Sequence, residues 1–213
     1  MCQNDRPSSG GYNVYVTAEA TDPQCRLQPP LEAYLDIETT GLYPGYNQIT
    51  VVGIYLHDGN RGRLVQLVGS DINADSLLAS LEGVATINTY NGSRFDLPFI
   101  HACHNLDLAG RFDHCDLMFH CWQKNLYGGL KSVERQLGIN RVLTEVNGFE
   151  AVRLWWRYIN DYDKQALATL LQYNGEDVVN LRVLKKKLLP GGRRPPGSTA
   201  LPAEQDRQPE DRG

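Results

Sequence analysis

Apolar positions along this chain change their period several times, and each change marks an element. Short runs rich in β-branched and aromatic residues fall at 33–39, 49–56, 63–68 and 84–90, and each reads as a strand. A Gly/Pro turn at 41–45 separates the first two, and His57-Asp58-Gly59-Asn60 is a hairpin signal between the second and third. Helical patterns occupy 76–81, 95–105, 130–137, 150–159 and 163–189, with Gly138 ending the third of them. A fifth strand is expected at 114–118. Three meandering strands followed by alternating helices and strands specify an α/β fold, a mixed five-stranded sheet flanked by helices.

The ends differ from this middle. Residues 1–30 are polar and punctuated by Pro and Gly, an N-terminal extension in which 12–16 is compatible with a short strand. From 190 the chain reads Gly-Gly-Arg-Arg-Pro-Pro-Gly-Ser and then mixed charge, too little apolar surface to offset ordering, so 190–213 is expected to be a disordered tail. The domain is therefore 31–189. With 213 residues, 41% of them hydrophobic, a core forms without disulfides or structural metals. Five cysteines, an odd number without a framework, fit reduced thiols, and the polar start lacks a signal-peptide core; a cytoplasmic protein is expected. No apolar run approaches the length of a membrane span. The net charge of −4 argues against a tight grip on nucleic acid but not against acting on it, because acidic residues concentrated in a metal site leave basic ones elsewhere.

Chemistry concentrates in three segments. In Leu35-Asp36-Ile37-Glu38-Thr39-Thr40-Gly41, Asp36 and Glu38 stand one residue apart on a strand and so share a face. Two carboxylates that close repel unless a cation lies between them, and an all-oxygen donor set favours Mg²⁺ or Mn²⁺. In the second segment, Asn91 and Gly92 end a strand and Phe95-Asp96 open a helix; Asp96 either complements the helix dipole or belongs to a site at the strand ends. In the third, Tyr173 and Asp177 are four apart on one helix face. They lie in the stripe Leu170, Tyr173, Asp177, Leu181, Leu184 and Leu188, which should face the sheet. A carboxylate there is either salt-bridged or a ligand. Gly175 weakens this helix, and close approach of a substrate backbone would account for it.

These segments, in this order, resemble the three motifs of the ribonuclease-H-like DEDD 3′–5′ exonucleases. The Tyr173-x-x-x-Asp177 form of the third selects the tyrosine-bearing (DEDDy) branch. Similarity extends through His114-x-Asp116-Leu117 and 129–138 to about 31–189, and is strongest to YprB-type predicted exonucleases and to family-B DNA polymerase proofreading domains. The resemblance implies two Mg²⁺ or Mn²⁺ ions held by Asp36, Glu38, Asp96 and Asp177, with Asp36 bridging them and Asp96 acting through water. Tyr173, with an ordinary phenol, would orient the attacking water rather than serve as base. Catalytic candidates are thus Asp36, Glu38, Asp96, Tyr173 and Asp177. Thr39, Asn91, Phe95 and Asn174 are candidate substrate-binding residues. The implied partner is a single-stranded DNA or RNA 3′ end. A non-catalytic nucleic-acid-binding or scaffold module and a structure-selective endonuclease are the alternatives.

Other groupings have competing readings. Cys103, His104, His114, Cys115, His120 and Cys121, with His101, lack the knuckle spacing of zinc sites, and incidental roles are favoured. Asp116 lies either near the cleft or in a loop-holding role. Val152, Trp155, Trp156 and Ile159 keep a core spacing that outweighs a base-stacking platform. Lys185, Lys186, Lys187, Arg193 and Arg194 suit phosphates or a solvated helix end, and Lys131 and Arg135 are candidates to touch a substrate strand.

Overall fold

A computed structural model describes residues 30–189. The short strand at 12–16, the rest of the extension before residue 30 and the tail at 190–213 lie outside the described residues.

The sheet is built from β1 (Leu31–Thr39), β2 (Ile49–His57), β3 (Gly62–Val68), β4 (Val84–Thr89) and β5 (Asp113–Asp116), in the order β3-β2-β1-β4-β5. β1, β2 and β3 form the antiparallel meander, while β4 pairs parallel to β1 and β5 parallel to β4. The sheet is mixed and five-stranded, as the pattern of elements specified.

Alternation along β1 decides what lies on each face. Ala33, Leu35 and Ile37 point into one core with Val52, Ile54, Leu77, Ile87, Phe99 and Ile100. That face is covered by α1 (Ala74–Ser80) and α2 (Asp96–His104). The opposite face carries Tyr34 and packs against α3 (Leu117–Gln123), α4 (Leu130–Gln136) and α6 (Lys164–Leu188). Val51 extends that face to α5 (Gly148–Asp161). Leu170, Tyr173, Asp177, Leu181, Leu184 and Leu188 of α6 are all buried, so the predicted stripe does face inward.

Three expectations are corrected. The run at 114–118 is not all strand: β5 ends at Asp116, whose carboxylate caps α3 by accepting the Met118 N–H at 3.1 Å. The residues after this cap form helix α3, which the strand reading of 114–118 leaves out. Gly175 makes room for β3 rather than for substrate, since a Cβ there would stand 3.2 Å from Leu64 Cδ2. In α5 the buried face is Ala151, Leu154 and Trp155, and its rotation leaves Trp156 and Ile159 each 42% exposed. Trp155 is core, and the other two are not. No helix among the described residues is long and apolar enough to cross a membrane.

Candidate metal centre

β1 and β4 pair from Leu31–Tyr34 to Val84–Asn88 and then part. Beyond that point the Ile37 N–H has no strand to donate to, and Asp96 Oδ1 accepts it at 3.0 Å. Asp96 is thereby pinned beside the residue that lies between Asp36 and Glu38. From the other direction α6 crosses the same end of the sheet and delivers Asp177. Ligand atoms of Asp36, Glu38 and Asp177 lie within 4.8 Å of one another, and these are the residues among those described that group closely enough to hold a metal ion. Asp96 is not in that triplet, but its charge reaches both Asp36 and Glu38.

The electrostatics is that of crowded, desolvated carboxylates. Burial and then the charge of Asp177 hold Asp36 and Glu38 well above the usual carboxylate range. Burial raises Asp96 to about 7 and Asp177 to about 6, the latter despite a neighbouring guanidinium. Burial and the charges of Asp177, Glu38 and Asp36 push the Tyr173 phenol far upward, so it is a neutral hydroxyl at any physiological pH. An oxygen-only cluster whose members resist ionisation for want of a counter-charge fits a hard divalent cation.

A framework holds these groups in place. Asn174 Nδ2 donates to the Asp36 carbonyl at 3.3 Å and to its Oδ2 at 3.2 Å, while Asn174 Oδ1 accepts from Gln66 Nε2 at 3.0 Å. Arg141, between α4 and α5, donates Nε and Nη2 to the two Glu134 oxygens at 2.9 Å each, and Nη2 also contacts Asp177 Oδ1. Asn180 Nδ2 adds a bond to Glu134 at 3.0 Å. Asp116 accepts from the Asn91 N–H (2.8 Å), the Ser93 N–H (3.1 Å) and the Ser93 hydroxyl (2.6 Å). It therefore holds the loop that leads into Asp96.

The family model for the RNase_H superfamily matches residues 33–189. The chain belongs to this superfamily. Its fold is that of nucleases. YprB of Bacillus subtilis (strain 168), described as uncharacterized, is 28% identical over 163 residues, covering 70% of this chain and 39% of YprB. The family B DNA polymerase from Pyrobaculum calidifontis superposes with a TM-score of 0.60 at 18% identity, over 76% of this chain and 25% of the polymerase. NrnC of Brucella melitensis, in a structure with bound Mg²⁺, gives a TM-score of 0.52 at 22% identity, over 74% of this chain and 71% of NrnC. A second NrnC structure, bound to pGG, gives 0.53. The chain thus spans under half of YprB and a quarter of the polymerase.

Within this RNase H frame the remaining candidates are distributed unevenly. Thr39 donates its hydroxyl to the Gly41 carbonyl at 2.7 Å, just beyond Glu38. Asn91 takes a left-handed φ of 64° at the start of the loop. Phe95 turns towards the core and packs its ring 5.5 Å from that of Phe99. Asn174 spends its amide on Asp36 and Gln66. No three His or Cys side chains among the described residues come within metal-binding distance, and His114 Nε2 is bonded to Thr89 Oγ1 at 2.9 Å. Lys185 is committed to Glu32 at 2.6 Å. Sequence reasoning missed Arg141, because residues 139–146 carry no periodic signal, and it gave Glu134 no role within the helix at 130–137, because its partners come from that loop and from α6.

Proposed function

We propose that this chain is a divalent-metal-dependent 3′–5′ exonuclease that removes nucleoside 5′-monophosphates from single-stranded nucleic-acid ends. The observation that carries this reading is the convergence of Asp36, Glu38 and Asp177 within 4.8 Å, with Asp96 held alongside. The superfamily and the Mg²⁺ and pGG in the NrnC structures support it.

Asp36, Glu38 and Asp177 would hold the ions, with Asp36 shared and Asp96 contributing through water. When bound, two Mg²⁺ or Mn²⁺ ions lower the pKa of water and stabilise charge on the leaving oxygen. The neutral Tyr173 hydroxyl orients the attacking water by hydrogen bonding and takes no proton from it. Water oxygen bonds to the terminal phosphorus, the bond from phosphorus to the 3′-oxygen breaks, and that oxygen leaves with a proton. The products are a nucleoside 5′-monophosphate and a strand one residue shorter with a free 3′-hydroxyl. Asn174 keeps Asp36 from swinging away, and Asp116 keeps the loop before Asp96 closed.

Single strands of DNA and RNA labelled at either end, incubated with Mg²⁺, Mn²⁺ or EDTA, test this. Stepwise shortening from the 3′ end that requires metal and is lost in Asp36→Ala is expected. Internal cuts would assign a structure-selective endonuclease instead, and binding without cleavage a scaffold.

A further inference from the structure

Two cationic nitrogens beside the acidic triplet are buried without a hydrogen-bond acceptor among the described residues: Lys131 Nζ and Arg141 Nη1. Neither is a loose surface group. Arg141 has its Nε and Nη2 committed to Glu134 and its side chain 5% exposed. Because a guanidinium is planar, fixing two of its nitrogens fixes where the third points. Lys131, in the first turn of α4, carries its Nζ 4.5 Å from the centre of the Tyr173 ring, and Arg141 Cζ stands 5.6 Å from the same centre. The ring face offsets part of the ammonium charge but offers no lone pair to its N–H groups. Lys131 also feels the charges of Glu38 and Asp177 without bonding to either. A buried charged donor left without an acceptor is costly, so the pair marks a place where a ligand brings oxygen.

We propose that Lys131 Nζ and Arg141 Nη1 form a phosphate subsite across Tyr173 that receives the non-bridging oxygens of the terminal phosphodiester. This rests on the nuclease reading above and adds two substrate-binding residues to it. An anion is the ligand because both donors are cationic and neither has its own carboxylate at that atom. Contacts of this kind position a strand without reading its sequence. Arg141 then has a double role: its Nη2 side steadies Asp177, and its Nη1 side faces substrate.

The test titrates adenosine 5′-monophosphate and adenosine separately into the full chain with Mg²⁺. Lys131→Met is expected to weaken the nucleotide about tenfold or more, as loss of a charge-assisted bond does, and to leave adenosine and Mn²⁺ affinity unchanged. Arg141→Lys, which keeps a cation for Glu134 and Asp177 but loses the planar third nitrogen, is expected to act in the same direction. Wild-type nucleotide affinity in both variants overturns the proposal. So does a parallel loss of adenosine binding, which would mean that the side chains only support the fold. Failure of the nuclease reading is distinguishable, because it appears in wild type as strands left intact with every metal.

Discussion

Asn174 on α6 holds Asp36 on β1 by two bonds, at 3.3 Å to its carbonyl and 3.2 Å to its carboxylate. The residue opposite Asp36 on β2 is Gly53, and a Cβ built there would meet Asn174 Oδ1 at 2.2 Å. The missing side chain is what lets the amide lie against the sheet. Gly53→Ala should therefore displace Asn174, cost about 1–3 kcal/mol of stability through overpacking, and weaken Mn²⁺ binding. Urea denaturation and metal titration check it; a folded variant with wild-type metal affinity would show that Asn174 does not orient Asp36.

Crowded carboxylates make the metal-free centre a local liability. Asp36→Asn keeps the shape and the oxygen that Asn174 contacts but removes a carboxyl whose ionisation is opposed by burial and by the charges of Asp177, Asp96 and Glu38. In EDTA the variant should be more stable than wild type by about 1 kcal/mol, within the range by which site-relieving substitutions stabilise proteins. Thermal melts in EDTA and in Mg²⁺ should rank the two proteins in opposite orders.

The raised carboxyls set a pH dependence with a definite sign. Asp96 at about 7 and Asp177 at about 6 stay protonated in the folded chain at pH values where the unfolded chain, with an ordinary value of 3.8, has lost those protons. The native state then binds more protons, so its metal-free stability falls as pH rises from about 4 to about 7. His57, His104 and His114 are held below their usual value of 6.5 and oppose this trend. Their contribution cancels in the difference between wild type and Asp96→Asn, which should grow in the variant's favour from pH 5 to pH 8 in EDTA. A flat difference would contradict the raised Asp96.

Asp116 accepts four hydrogen bonds, from Asn91, twice from Ser93, and from Met118. Asp116→Ala leaves three backbone donors and one hydroxyl without it, at about 1–3 kcal/mol for each that stays buried and unpaired. Loss on the order of 2–4 kcal/mol is expected, since exposure of Ser93 lets water replace part of the set. Hydrogen exchange at Asn91 and Ser93 should accelerate in the variant.

Much of this was legible before any coordinates. Strand alternation alone placed Asp36 and Glu38 on one face, and helical spacing alone put Tyr173 and Asp177 in the buried row of α6. Gly138, with φ of 63°, ends α4 where a left-handed residue was expected. What was lost had no local signature or was read against one. Arg141 acquires its role only because an irregular loop meets α6, and no periodicity encodes that meeting. Gly53 matters through its register with Asp36, which depends on strand pairing. Helix α3 does have a signal, an Asp in N-cap position followed by Leu-Met, but the apolar residues after it read equally well as a continuing strand. Trp156 followed the core spacing but lies one residue past the buried face of α5.

Mn²⁺ titration calorimetry on wild type and Asp36→Asn tests the central claim most directly, because it reads the carboxylate cluster without any substrate. Two ions per wild-type chain, with proton release that diminishes as pH rises and binding largely lost in the variant, is the predicted result. Absence of binding to wild type at millimolar Mn²⁺, or equal binding to both proteins, would contradict a metal centre built on Asp36.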